Sequence, residues 1–206
     1  MRTFGLTGGI ATGKSTVARL LRERHGIPVI DADQVARAVV APGSPGLAEV
    51  VEAFGPDVLE DDGRLDRPAM RALIMADPAA RRRLEAITHP RIAQGVGEAL
   101  AALASQGTPL AAVEAALMVE SGSWRMYDAL VVVSASPETQ LARVVDRDGG
   151  TRDDAARILA AQLPLADKER VASYVVHNEG SRADLEAEVD RLVAWLRAGP
   201  GAAAGA

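Results

Sequence analysis

An α/β fold is what the sequence predicts, with a mostly parallel sheet of about five strands, right-handed crossovers and helices on both faces, making three layers. Two observations carry the prediction. Short apolar runs rich in Val, Ala and Leu alternate with longer stretches in which apolar residues recur at helical spacing. Between the first run and the first helical stretch stands a glycine-rich loop, Gly8-Gly9-Ile10-Ala11-Thr12-Gly13.

Residues 2–7 read as the first strand, and residues 14–25 as a helix with Val17, Leu20 and Leu21 on one face, closed by Gly26. Residues 27–31, introduced by Pro28, read as a second strand that leads through Asp33 into a helix fading before Pro42. From there to residue 106 no buried strand stands out, but helix starts recur at Asp66 before Arg67-Pro68 and at Asp77 before Pro78. This predicts a helical insertion over about residues 60–106, with a helix break at His89-Pro90, because a residue before proline is biased away from helical geometry. Strands return at 109–113 and 129–134, and Ser136-Pro137 then supplies an N-cap with proline at the first helical position. Thr151 with Asp154, and Ser181 with Asp184, have capping-box spacing and open two more helices, with a last strand at 174–176 between them. The tail 199–206, all Gly, Pro and Ala, is expected to fray.

Hydrophobic residues make up 48% and charged residues 25% of the 206, so the chain can bury one sizeable core, and residues 1–198 read as a single elaborated domain. A formal net charge of −5, with both signs mixed along the chain, offers no broad positive field, which sets nucleic acid aside as a main partner. A polyanionic ligand then needs a local site of backbone amides and a few cations. The absence of cysteine excludes disulfides, thiolate metal sites and a cysteine nucleophile, and suits a reducing compartment. The opening segment MRTFGLTGGIATGKS turns glycine-rich too soon for a signal peptide, and no apolar stretch is long enough to span a bilayer. A cytoplasmic protein with no membrane partner is therefore expected; no feature of the sequence sets an oligomeric state.

Gly8-Gly9-Ile10-Ala11-Thr12-Gly13-Lys14-Ser15 fits the pattern G-x-x-x-x-G-K-[ST], between a strand and a helix, where a phosphate-binding loop works. Gly8 and Gly13 permit the turns that let successive N–H groups, those of Gly9, Ala11 and Thr12 among them, surround phosphate oxygens. The helix starting near Lys14 adds the positive end of its dipole. Lys14 would reach the β- and γ-phosphates of a bound nucleotide, the Ser15 hydroxyl would ligate Mg²⁺, and Thr16 would help hold the α-phosphate. This is the P-loop NTPase pattern.

Asp31 and Asp33 stand at the end of the second strand, where an open α/β sheet borders its ligand crevice. One carboxylate, assigned as that of Asp33, could accept a hydrogen bond from an attacking hydroxyl and orient it, with proton removal coming late, while the other supports Mg²⁺ waters or nearby backbone. Alternatively Asp33 simply N-caps the following helix, a role worth about 1 kcal/mol. Spacing leaves both readings open.

At this point GGIATGKST, IDAD followed by VAR, Thr88-His89-Pro90, Glu114 and Glu120-Ser121-Gly122 resemble the dephospho-coenzyme A kinases. Gln140-Leu141-Ala142-Arg143 with Arg147, Ala161-Gln162-Leu163-Pro164 and His177-Asn178-Glu179-Gly180 continue the resemblance, which spans most of residues 4–181. It implies MgATP-dependent phosphorylation of the ribose 3′-hydroxyl of dephospho-coenzyme A. It also implies that Lys14 binds phosphate, Asp33 faces the acceptor hydroxyl, and Arg143 is the cation of a lid over about 138–165. The helical insertion would cover the acceptor, with His89, Glu114 and Glu120 on the acceptor side, although on sequence alone His89 reads as structural and Glu114 keeps a metal-side alternative. Arg143 and Arg147 are four apart on one helix face, able to meet a phosphoryl group or else to lie solvated beside Asp146 and Asp148. Asn178 could read the adenine edge, though Asn-Glu-Gly is also an ordinary turn.

The sequence departs from that family's usual pattern at Ala11-Thr12, where glycine and serine are common, and at Ser173, a usual aspartate. Glu114-Ala115-Ala116 replaces Asp-Ile-Pro, leaving no proline to stiffen the loop that leads to Glu120. Two rival readings remain: another P-loop kinase with a different small-molecule acceptor, and a nucleotide-dependent switch. Asp146-Arg147-Asp148-Gly149 matches the switch pattern D-x-x-G, but it follows a helix, and no Asn-Lys-x-Asp guanine reader accompanies it.

Overall fold

The computed structural model describes residues 1–199. From Pro200 on, the tail expected to fray lies outside the described residues. The chain runs β1 (Arg2–Gly8), α1 (Lys14–His25), β2 (Val29–Asp31), α2 (Ala32–Val39), α3 (Pro45–Phe54), α4 (Arg67–Ala76) and α5 (Pro78–Ser105). It continues through β3 (Leu110–Glu114), β4 (Ala129–Ser134), α6 (Pro137–Asp148), α7 (Arg152–Ala160), α8 (Leu165–Arg170), β5 (Tyr174–His177) and α9 (Arg182–Ala198). The five strands form one sheet in the order β2-β3-β1-β4-β5. β1 lies parallel to β3 and β4, and β4 parallel to β5.

The chain divides into two compact units, Met1–Ile30 with the chain from Gly107 onward, and Asp31–Gln106. In the first, β3 and β4 are buried along their whole length, as strands covered on both faces must be. Phe4, Leu6, Val131 and Val133 meet Val17 and Leu21 of α1 and Val189 and Leu192 of α9 in one core. Each such side chain contributes at most about 1.5–3 kcal/mol. Register places Leu6 opposite Glu114 and Gly8 opposite Val133. The carboxyl ends of β1 and β3 therefore deliver the glycine loop and Glu114 to the same edge of the sheet, where open α/β sheets bind ligands.

The second unit is helical, around Val40, Leu47, Val50, Val58 and Met70, with Leu84 and Ile87 of α5 packed against them. Asp66 and Asp77 cap α4 and α5 as their sequence positions predict, accepting the N–H groups of Ala69 at 2.8 Å and Ala79 at 2.7 Å. α3 carries the same Ser-Pro signal as α6, with Ser44 Oγ accepting Leu47 N–H, yet escaped the sequence reading. The helix break expected at His89-Pro90 does not occur: α5 runs unbroken for 28 residues with Pro90 inside it. An interior proline costs about 3 kcal/mol. Tertiary contacts on both sides offset it, since Leu84 and Ile87 join the second core while Arg91 pairs with Glu49 and donates to the Ile87 carbonyl at 2.8 Å.

Candidate active site

β1 ends at Gly8, and the chain turns through the loop into α1 with Gly13 as its N-cap at φ 93°. An L side chain at 13 would be strained, and its Cβ would lie 2.2 Å from Asn178 Nδ2. Ala11 also adopts positive φ, 56°, in the left-handed region where a Cβ costs about 1–2 kcal/mol. The loop thus holds a strained residue where the resembled family commonly has glycine. No side chain caps α1, and its first turn holds no acidic residue among those described, whereas Ser136, Thr151 and Ser181 cap α6, α7 and α9. An uncapped N-terminus leaves donors and dipole for an external anion.

It opens onto a cavity of about 390 Å³ lined by Gly8, Gly9, Ala11, Gly13, Lys14 and Ser15, with Arg143, Arg147 and Gln162 across from them. Ile10 and Ala116 complete the lining. The Thr12 side chain is fully buried and donates to the Gly9 carbonyl at 2.9 Å, bracing the turn from within. Thr16, in the first turn of α1, is not among the lining residues.

Lys14 Nζ donates to Glu114 Oε1 at 2.5 Å, and both side chains are largely buried. The carboxylate at the end of β3 therefore holds the mobile ammonium at the mouth of the loop. Arg143, from α6, donates to the carbonyls of Asn178 at 2.9 Å and Ala11 at 3.4 Å, so its guanidinium lies against the loop backbone. Arg147, one turn on, lines the same cavity but is paired with Asp148 at 2.7 Å.

Asn178 and Gln162 brace the loop by hydrogen bonds and Gln140 packs against it; of the three, only Asn178 is expected at the site from the sequence. Asn178 Nδ2 donates to Thr12 O at 2.8 Å, Gln162 Oε1 accepts Ile10 N–H at 2.9 Å, and Gln140 donates to Ala135 O while its Oε1 would lie 2.6 Å from a Cβ at Gly9. Gln140 and Gln162 stand inside segments already noted for resemblance, which was the available signal. The Asn178 amide spends a donor on the loop; it follows β5, and Glu179 beyond it accepts Thr139 Oγ1 at 2.7 Å and the Ser136 N–H. The Thr139 hydroxyl, with help from Ser136 and Arg143, holds the Glu179 carboxyl below the usual range. Ser173, one of the departures from the resembled pattern, keeps a partner, its Oγ accepting Leu130 N–H at 3.0 Å.

In the helical unit the strand ends at Asp31, and Asp33 is already in α2, so the two carboxylates do not share one face of a strand as a spacing of two would predict. The cap is Asp31: its Oδ1 accepts the N–H groups of Asp33 at 2.9 Å and Gln34 at 3.0 Å. Capping α2 is not the role of Asp33. His89 is exposed on α5. In the other unit Glu120 Oε1 pairs at 2.8 Å with Lys168, which is wholly buried.

Strand, glycine loop and uncapped helix at the edge of a parallel sheet, with a lysine held ready beside them, are the working parts of a P-loop kinase, and the chain is of that class. Among solved structures it is similar to TT1252 from Thermus thermophilus, with a TM-score of 0.81 and 34% identity over 94% of this chain and 96% of that one. The dephospho-CoA kinase from Campylobacter jejuni aligns with a TM-score of 0.68 and 26% identity over the same shares of the two chains. The dephospho-CoA kinase of Anaeromyxobacter dehalogenans is 52% identical over 98% of this chain and 95% of its own. A family model described as dephospho-CoA kinase matches residues 2–184. The chain belongs to the dephospho-CoA kinase family.

Proposed function

We propose that the chain transfers the γ-phosphoryl group of ATP to the ribose 3′-hydroxyl of dephospho-coenzyme A, giving coenzyme A and ADP, the last step of coenzyme A synthesis. The observation that carries phosphoryl transfer is the uncapped N-terminus of α1 facing a cavity with Lys14 and Arg143 on its walls. Family membership supports the choice of acceptor. In the reaction a bond forms between the 3′-oxygen and the γ-phosphorus, the bond to the β,γ-bridging oxygen breaks, and the hydroxyl proton leaves late.

The loop N–H groups and Lys14 hold the phosphates, Lys14 exchanging Glu114 for the β- and γ-oxygens. The donors suit a hard divalent ion, since the Ser15 hydroxyl lines the cavity and the Glu114 carboxylate stands at its edge. Ser15 would ligate Mg²⁺ and Glu114 would hold its waters, and the ion when bound supplies neutralising charge at the β- and γ-phosphates. Asp33 orients the acceptor hydroxyl and takes its proton. The helical stretch 60–106, with His89, covers the acceptor, and the segment 138–165 closes as a lid carrying Arg143 and Arg147. Thr12, Thr16 and Asn178 serve the nucleotide, Thr12 and Asn178 by bracing the loop. Glu120 acts on the acceptor side through the segment it anchors. Among the described residues no helix is long and apolar enough to cross a membrane; the cytoplasm is the proposed place of work.

The test is ADP release from MgATP with and without dephospho-coenzyme A, the 3′-phosphorylated product being confirmed by mass. Strong dependence on the acceptor is expected. Bound ATP with no stimulation would turn the assignment to another acceptor, and GTP hydrolysis without any acceptor would favour a switch. In the same assay Arg143→Ala should lower kcat by about 10²-fold while raising KM for MgATP less than about threefold. Equal losses in both would make Arg143 a ground-state contact.

A further inference from the structure

The chain has only two lysines among its 23 basic residues, and both bind the same stretch. Lys14 holds Glu114 at the end of β3, while Lys168 of α8 donates to the Ala116 carbonyl at 3.1 Å and pairs with Glu120 at 2.8 Å. The Lys168 side chain is wholly buried, whereas that of Glu120 keeps 24% of its surface exposed. Burying an ammonium is costly unless its partners are well placed. A compact ammonium with three donors can serve two acceptors of one turn at once, which a planar guanidinium would do less readily in a closed space.

Those two acceptors lie four residues apart in the segment 115–122, which contains no proline. At its start the segment is tied to β1, by Ala115 N–H to Leu6 O at 3.1 Å and by Thr7 Oγ1 to the same Ala116 carbonyl at 3.3 Å. Ala116 lines the phosphate cavity, and Glu114, two residues earlier, carries the Lys14 ammonium; Lys168 is not among the residues lining that cavity.

We infer that Lys168 is a positioning residue for phosphoryl transfer: by fixing the Ala116 carbonyl and Glu120, it sets the cavity wall and the stance of Glu114 against Lys14. This rests on the kinase reading above. Lys168→Met and Glu120→Gln, made in the full chain, are compared with wild type for kcat, both KM values, thermal unfolding and amide hydrogen exchange of 115–122. Lys168→Met should lower kcat at least about tenfold with KM for MgATP within about threefold, because small misplacements act on the chemical step. It should also speed exchange of 115–122. Glu120→Gln, which keeps the lysine and its bond to Ala116, should move both readouts the same way by less, and it carries the test if Lys168→Met does not fold. A lowered unfolding temperature with kcat unchanged would make Lys168 merely structural and overturn the proposal, as would unaltered exchange of 115–122. If wild type proves inactive with dephospho-coenzyme A, the acceptor reading falls, and the exchange data still decide whether Lys168 anchors the segment.

Discussion

Asp33→Asn is expected to bind MgATP within about twofold of wild type while kcat with dephospho-coenzyme A falls by about 10²–10⁴-fold, the usual contribution of a positioned general base. The separation is sharp because the helix cap is held elsewhere. Asp31 accepts two backbone N–H groups and the Gln34 amide, so an amide at 33 leaves the start of α2 intact. Asp33→Asn also removes a negative charge from the first turn of α2, a contribution of about 0.3–1 kcal/mol. Asp31→Ala is the complementary variant: it should cost about 1 kcal/mol of stability through the cap. Turnover of Asp33→Asn near the wild-type rate in the coupled assay would remove Asp33 from the chemistry.

Lys14→Met should reduce kcat/KM by about 10³-fold or more, since the charge that meets the γ-phosphoryl group in the transition state is gone. Stability should fall as well, because Glu114 is only 8% exposed and its carboxylate would be left in the protein without its ammonium. Breaking a buried pair from one side typically costs about 3–5 kcal/mol, and this pair, not wholly buried, should lose less. The double variant Lys14→Met/Glu114→Gln removes both charges and should regain much of the unfolding temperature while staying inactive. If the double variant recovered turnover, Lys14 would matter only as the partner of Glu114. Single-turnover phosphoryl transfer beside a thermal melt separates the two effects.

Glu114 illustrates what a sequence can and cannot convey. Resemblance marks it as an acceptor-side or metal-side carboxylate, but its pairing with Lys14 spans 100 residues and exists only because β3 lies beside β1. Lys168 is harder still: in Leu165-Ala166-Asp167-Lys168-Glu169-Arg170 a lysine among charges reads as solvated surface, yet it is wholly buried. Asp33 shows the reverse difficulty, since a strand-end spacing of two suggests a shared face, whereas the backbone has already turned helical. At Pro90 a correct local preference was overruled, because the packing around Leu84, Ile87 and Arg91 outweighs the missing N–H and the strain of the ring.

By itself the sequence determined the alternation of strands and helices, the phosphate loop, and most helix starts. Each depends on residues within a few positions of one another: Ser136 with Pro137, Thr151 with Asp154, Gly13 before Lys14. Resemblance added the acceptor. Tertiary structure alone decided which distant groups brace that loop and the cavity wall beside it, Asn178 on Thr12 across 166 residues and Lys168 on Ala116 across 52. Local preferences act along the chain, whereas these contacts are fixed by the order β2-β3-β1-β4-β5, which brings the ends of distant strands to one edge.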